Sequence, residues 1–282
     1  MKQIDELLAD AVKTLADAGV EEPRREAASL MASAIGRDAA FLIAHPEYKL
    51  SAEEAATFAS FVERRSAREP FHYIVGNKEF YGLSFIVGPS VLIPRPETEI
   101  LVTSAIEVDP KTICEIGVGS GCISIAILKA LPDAKAVGLE ISGEAIKVAR
   151  ANARRHGVTE RFELRESDVF SALGDESFDL IVSNPPYVPA NEIASLQPEV
   201  RDFEPHLALT DGSIGLGIIS RLVHQAPKHL SAGGWLMFEM GVDQDVEIRK
   251  MMDPAVWHEM SIVPDLAGIP RVARARSIAR SD

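Results

Sequence analysis

The sequence predicts an α/β protein, in which a doubly wound, mostly parallel sheet follows a small helical bundle. Three observations carry this. Over the first 70 or so residues, apolar side chains recur at helical spacing with no strand-type alternation. From Lys111 onward, short apolar runs alternate with helical stretches. Between the first such run and the helix after it stands Glu115-Ile116-Gly117-Val118-Gly119-Ser120-Gly121, a glycine-rich turn.

The elements follow in order. Ile4, Leu7, Leu8, Val12 and Leu15 form one helical stripe that stops near Gly19. Pro23 opens a second helix, striped by Ala27, Leu30, Met31 and Ala34 and closed by Gly36. Ser51 reads as the N-cap of a third, with Glu53 and Glu54 in its first turn and Phe58, Phe61 and Val62 on its buried face. At Glu69-Pro70 the character changes. Phe71–Val75, Glu79–Tyr81 and Leu83–Val87 read as short strands punctuated by Gly76, Gly82 and Gly88. Pro94, Pro96 and the run Ile100–Ile106 then lead into a helix.

The alternation proper has strands at Thr112–Ile116, Ala134–Leu139, Phe162–Arg165, Phe178–Val182 and Trp235–Glu239. Its helices fall at Ile123–Ala130, Gly143–His156 and Gly215–Leu230. The expected organisation is a helical domain over 1–70, a β-hairpin linker over 71–92 and the sheet domain over 93–282.

Composition narrows the function. The 282 residues are 46% hydrophobic and 25% charged, which excludes a collagen, a low-complexity chain or a disulfide-stapled miniprotein. A net charge of −13 disfavours nucleic acid as the main partner, although Arg271, Arg274, Arg276 and Arg280 make the C-terminus locally basic. The opening Met1-Lys2-Gln3-Ile4-Asp5-Glu6 lacks the pattern of a secretion signal, and no apolar run is long enough to span a bilayer. The cytoplasm is therefore the expected compartment, with no membrane partner. Cys114 and Cys122 read as small buried hydrophobes, and the seven scattered histidines form no ligand set, so no metal is expected. Ser120 is flanked by glycines but does not satisfy the hydrolase elbow pattern.

Two motifs carry chemistry. Glycines at 117, 119 and 121 permit a tight turn and close approach of a ligand to backbone N–H groups at the head of a helix. Glu140 ends the next strand about 20 residues on, where an acid can accept hydrogen bonds from both ribose hydroxyls. The spacing of the third glycine departs from the dinucleotide fingerprint. With Glu115 two residues before the first glycine, it instead resembles motif I of the S-adenosylmethionine-dependent methyltransferases. That resemblance implies that Glu115, Gly117, Val118, Gly119, Ser120 and Gly121 wrap the methionine part of the cofactor. It also implies that Asp168 holds the adenine amino group with Val169 against the ring; a helix N-cap is the alternative for Asp168.

The second motif is Asn184-Pro185-Pro186-Tyr187, directly after a strand. Consecutive prolines fix a rigid loop. The Asn184 side chain carries both acceptor and donors, the Pro185 carbonyl can accept a second N–H, and the Tyr187 ring can lie on a flat group. This resembles the signature of methyltransferases that modify planar nitrogens, namely base amino groups and glutamine amides.

The chain as a whole resembles the release-factor glutamine methyltransferases of the HemK/PrmC type. The resemblance begins at Ala44-His45-Pro46-Glu47 and passes through Glu69-Pro70, Tyr73-Ile74-Val75-Gly76 and Glu79-Phe80-Tyr81-Gly82. It is strongest at Leu92-Ile93-Pro94-Arg95-Pro96-Glu97-Thr98-Glu99. Phe203-Glu204-Pro205, Ala208-Leu209, Asp211-Gly212 and Asp265–Arg271 complete it.

It implies a Rossmann-like class I methyltransferase domain behind a helical substrate-recognition domain. S-adenosyl-L-methionine would be the cofactor, S-adenosyl-L-homocysteine its product, and the partners class I peptide chain release factors, methylated on the glutamine of their Gly-Gly-Gln loop. Asn184 would contact both cofactor and glutamine. Val118 stands for the family's usual threonine, Glu140 for aspartate, and Val169 where some members carry an aromatic. The alternatives are glutamine methylation of a large-subunit ribosomal protein, a nucleic-acid amino-group methyltransferase, or a binding protein on a retained fold. Arg95 and Glu97 read equally as pocket residues or as a salt bridge at the domain junction.

Overall fold

The computed structural model describes residues 3–278. Met1 and Lys2 of the opening stretch and Arg280 of the basic run lie outside the described residues. The chain divides into two units, Met1–Asn77 with Gln197–Phe203, and Lys78–Leu196 with Glu204–Asp282.

The first unit is helical. Helices α1 (Ile4–Asp17), α2 (Pro23–Ile35), α3 (Ala39–Ala44), α4 (Ala52–Ser66) and α5 (Phe71–Val75) enclose a core built from Ile4, Leu15, Leu30, Met31 and Phe58. Pro23 takes the first turn of α2, where its missing N–H costs nothing, and Gly36 ends the helix in the left-handed conformation (φ +62°). Ser51 caps α4 reciprocally: its hydroxyl accepts from the Glu54 N–H at 3.1 Å, and the Glu54 carboxylate accepts from the Ser51 N–H at 2.7 Å. Helix α3 was not expected; its N-cap is Asp38, which accepts from the Phe41 N–H. Arg65 is buried yet doubly paired, with Glu26 and Glu199 at 2.9 Å each, and Glu199 also takes Arg68. Those pairs bind the 197–203 segment into this unit.

One expectation is corrected here. Phe71–Val75 is a helix, not a strand. The Pro70 carbonyl accepts the N–H groups of both Tyr73 and Ile74, the three- and four-residue bonds of a helical turn that a strand cannot make within itself.

The second unit opens with the hairpin β1 (Asn77–Phe80) and β2 (Leu83–Ile86), followed by α6 (Glu99–Glu107). Then come β3 (Thr112–Ile116), α7 (Cys122–Ala130), β4 (Lys135–Glu140), α8 (Gly143–Arg155), β5 (Phe162–Glu166) and β6 (Phe178–Ser183). The short helix α9 (Pro198–Phe203) belongs to the helical unit. The chain ends through α10 (His206–Leu209), α11 (Gly217–Gln225), β7 (Leu230–Glu239), α12 (Asp245–Met251), β8 (Trp257–Pro264) and β9 (Pro270–Ser277).

The seven strands lie in the order β5-β4-β3-β6-β7-β9-β8. The first five are parallel, and β9 and β8 close the sheet antiparallel. Leu180 and Val182 pack into one apolar cluster with α7 and α8, while Ile181 joins another with α11 and α12, so both sheet faces are covered. The expected doubly wound sheet is therefore present, with two strands that sequence reading missed. The helix expected over Gly215–Leu230 is shorter, because Pro227 turns its end into a 3₁₀ segment and Leu230 already begins β7. The basic run lies along β9, where Arg271, Arg274 and Arg276 pair with Asp265, Glu107 and Glu259. Its charge is locally neutralised.

Chain order places the site. From β3 the chain moves outward to β4 and β5, then returns to β6 on the other side of β3. The carboxyl ends of β3 and β6 thus form a switch point, where open α/β sheets bind ligands.

Candidate active site

At this edge lies a cleft of about 560 Å³. Gly117, Val118, Gly119, Ser120, Glu140, Asp168, Val169, Asn184 and Pro186 line it, with Glu115 at its floor. The pairs Ile116–Leu139 and Ile116–Ser183 bring the strand ends to one level, so the residues after β3, β4 and β6 converge.

The glycine turn is backbone chemistry. Gly117 and Gly119 have φ of +73° and +54°, and a methyl group on either would meet nothing within 4 Å, because both face the open cleft. Gly121 serves packing instead: a methyl there would lie 3.1 Å from Ile125 and 3.4 Å from Ala149 of α8. Gly138 of β4 was not anticipated. A methyl at that position would fall 2.7 Å from the Val118 side chain, so its bareness lets the turn sit against the sheet. Buried Asn152 of α8 ties the Ser120 carbonyl, at 2.9 Å, to the N–H and carbonyl of Ile86. An asparagine amid the alanines of a helix is the signal that could have revealed it.

Glu140 stands at the end of β4 as expected. Its Oε2 accepts from the Gly119 N–H and its Oε1 from the Ser142 N–H, both at 2.9 Å. A carboxylate has about four acceptor positions, so two remain for a vicinal diol. Glu115 is fully buried; its Oε2 accepts from the Ser124 N–H at 3.0 Å, and Oε1 has no partner. Burial pushes its carboxyl up to about 8, with the nearby Glu140 adding to the effect. Cys114 and Cys122 are buried free thiols, and burial pushes Cys122 up to about 12. Asp168 is half-exposed, and Arg221 on its Oδ1 at 2.8 Å holds its carboxyl below the usual range. The residues after it form a turn rather than the helix of the N-cap alternative, and Val169 is buried with φ +52°.

In the Asn-Pro-Pro-Tyr loop, Asn184 and Pro186 line the cleft, Pro185 is buried, and Tyr187 turns its hydroxyl to Glu239 at 3.0 Å. Burial and the Glu239 charge push the Tyr187 hydroxyl up. Asn184 Nδ2 donates to Thr98 Oγ1 at 3.1 Å, and Thr98 donates to the other Glu239 oxygen at 2.6 Å. Glu239, buried at the end of β7, is pushed up by desolvation and drawn back by these two hydroxyl donors. Neither Thr98 nor Glu239 was singled out from sequence. An acid ending an apolar strand, as at Glu140, is the signal that could have marked Glu239.

Arg95 lines the cleft and pairs with buried Glu204 at 2.6 Å, a partner within the same unit. Beside them, the Asp211 carboxylate accepts from the N–H groups of Ser213, Gly215 and Gly217 and fixes a loop on the cleft wall. Gly215 is obligatory there, since a methyl would fall 2.0 Å from the Tyr187 carbonyl. Among the described residues no cluster of three or more His, Cys, Asp or Glu is placed to hold a metal, and no helix is long and apolar enough to cross a membrane.

Comparison with known proteins adds to this geometry. Residues 6–76 match the PrmC N-terminal domain and residues 96–197 the methyltransferase small domain. The chain is 45% identical over 264 residues, 93% of its own length and 92% of the relative's, to a release factor glutamine methyltransferase of Geobacter sulfurreducens. The chain belongs to the release factor glutamine methyltransferase family. A second member, from Koribacter versatilis, is 41% identical over 271 residues, covering 94% and 95% of the two chains. The fold also matches a methyltransferase of Pyrococcus furiosus with a TM-score of 0.56 at 17% identity, over 77% of this chain and 99% of that one. The chain is thus a methyltransferase of this family, with its glycine turn and Asn-Pro-Pro-Tyr loop on one cleft.

Proposed function

We propose that the protein methylates the side-chain amide nitrogen of the glutamine in the Gly-Gly-Gln loop of class I release factors, with S-adenosyl-L-methionine as donor. The cleft fits that donor on three counts: bare glycines at 117 and 119 face open space, Glu140 keeps acceptor capacity for a diol, and the volume lies in the range of small-molecule sites. Glu115, Gly117, Val118, Gly119, Ser120 and Gly121 would hold its methionine part, Glu140 the ribose, and Asp168 with Val169 the adenine. When bound it supplies an electrophilic methyl group.

The observation that carries the reading is the orientation of Asn184. Its amide nitrogen is engaged by Thr98, so its Oδ1 is the atom available to accept an N–H from a substrate amide. The Pro185 carbonyl would take the second N–H, and Pro186 and Tyr187 would border the group. Acceptors on both N–H bonds turn the nitrogen lone pair out of conjugation and toward the methyl carbon. An amide nitrogen is a poor nucleophile, so this positioning is where the rate comes from. No strong base is needed beforehand, because the methylated nitrogen is a strong acid whose proton leaves to water afterwards. Release factors are supported as the partners by near-full-length identity to relatives of that name, the N-terminal domain included.

The test is transfer of labelled methyl to a purified release factor, beside a copy whose Gly-Gly-Gln glutamine is changed to alanine. Label on the first alone is expected. Label on both, or on neither, removes the proposed acceptor.

A further inference from the structure

Three polar side chains outside the expected site residues' roles meet behind Asn184: Thr98, Glu239 and the hydroxyl end of Tyr187. We infer that Thr98 and Glu239 are positioning residues for methyl transfer, forming a directed hydrogen-bond chain that fixes which end of the Asn184 amide faces the substrate. This rests on the proposed glutamine acceptor and deepens it.

With Glu239 ionised, the chain has only one consistent direction. Tyr187 donates to Glu239 Oε1 at 3.0 Å, and the 2.6 Å contact from Thr98 Oγ1 to Oε2 is a hydroxyl donating to a carboxylate. A threonine hydroxyl has one proton. Once that proton points at Glu239, only lone pairs remain for Asn184. The atom of Asn184 that lies 3.1 Å away must therefore be its NH₂ group, which leaves the carbonyl oxygen on the cleft side. A flipped amide would set two acceptors against each other behind Asn184 and present donors to a substrate that itself offers N–H. The carboxylate that sets this direction is 1% exposed, and the threonine 2% exposed, so water cannot substitute for either.

The sequence separations explain why the device was invisible. Thr98 and Glu239 are 141 residues apart, and Asn184 and Thr98 are 86 apart. Only the adjacency of β6 and β7 in the sheet brings the ends of these strands together over the turn that carries Thr98.

The experiment compares wild type with Thr98→Val, Thr98→Ser and Glu239→Gln, measuring kcat and KM for release factor, S-adenosylmethionine affinity by calorimetry, and melting temperature. Valine is close in shape to threonine but removes the hydroxyl, whereas serine restores it. Glutamine keeps the shape of Glu239 but presents a donor where the chain needs acceptors. The expected result is a kcat about 10–100-fold lower in Thr98→Val and Glu239→Gln, of the size a slightly misplaced reacting group costs. Cofactor affinity should stay within about threefold, and Thr98→Ser should recover most of the rate. A kcat within threefold of wild type in both variants overturns the inference. So does a Thr98→Ser enzyme as slow as Thr98→Val, or loss of cofactor affinity and folding in parallel with rate, since either marks a purely structural role. If wild type itself transfers nothing to release factor, the proposed acceptor fails, and the positioning role falls with it.

Discussion

The two sides of the cleft are made of different material. At the glycine turn, the groups facing the cleft are mainly backbone, set by positive φ at Gly117 and Gly119 and braced by Glu140 and Asn152. At Asn184 the group on the cleft is a side chain, hydrogen-bonded to other side chains in series, Thr98, Glu239 and Tyr187. A backbone cradle tolerates change in most neighbouring side chains, because its donors are the peptide groups themselves. A side-chain relay fails when any link is cut. The first arrangement suits binding and the second suits placing one atom, so damage to the two sides should separate affinity from turnover.

The largest separation is expected from Asn184→Ala. Removing the acceptor leaves the cradle untouched, so turnover on release factor should fall by ~10²–10³-fold, in the range known for losing one preorganised hydrogen-bonding group. Cofactor affinity measured by calorimetry should fall far less than turnover, since Asn184 would be only one of the cofactor's contacts. A parallel loss of affinity would erase the distinction between the two sides. Glu140→Ala is the converse: losing hydrogen bonds to a charged group should weaken S-adenosylmethionine binding by roughly 10–100-fold. Saturating cofactor should then restore most of the turnover, and failure to do so would show that Glu140 acts on the transfer step as well.

A third effect, on stability rather than on either function of the cleft, concerns Glu115, whose carboxyl burial pushes up to about 8 in the folded protein from the ordinary 4.5. Folding therefore favours the protonated form. The stability this group permits is fully present below about 4.5 and is lost as pH rises through about 8. Glu115→Gln, neutral at every pH, should escape that loss. In urea titrations the stability difference between wild type and Glu115→Gln should shift by on the order of a few kcal/mol in favour of the variant between pH 5 and pH 8. A constant difference across that range would place the charged carboxylate in the folded state throughout.

The same contrast runs through what could be read beforehand. The glycine turn, Glu140 and Asn184 were legible because each is a local pattern, in which a strand end, a turn and a helix start lie within a few residues. The helical stripes over the first unit were legible for the same reason, and Ser51 was recognisable as a cap from its neighbours alone. Phe71–Val75 misled because a five-residue, largely apolar run carries no period, and only the bonds from the N–H groups of Tyr73 and Ile74 to the Pro70 carbonyl reveal a helix. Strands β8 and β9 escaped because their residues mix charge and apolar character, with β8 at the sheet edge and β9 carrying paired arginines. Gly138 reads as an unremarkable strand glycine until Val118 is found against it.

By itself, then, the sequence determined the alternation of strands and helices, the helical first unit, the glycine turn and the Asn-Pro-Pro-Tyr loop. These depend on neighbours along the chain, where steric and hydrogen-bonding preferences act directly. The tertiary structure decided which groups stand behind Asn184, that Glu204 rather than a residue of the helical unit pairs with Arg95, and that the 197–203 segment joins the helical unit through Glu199. Such pairings join residues 52 to 141 positions apart. Their partners are chosen by strand order and burial, since a polar group taken out of water must find whatever complement the fold has brought beside it.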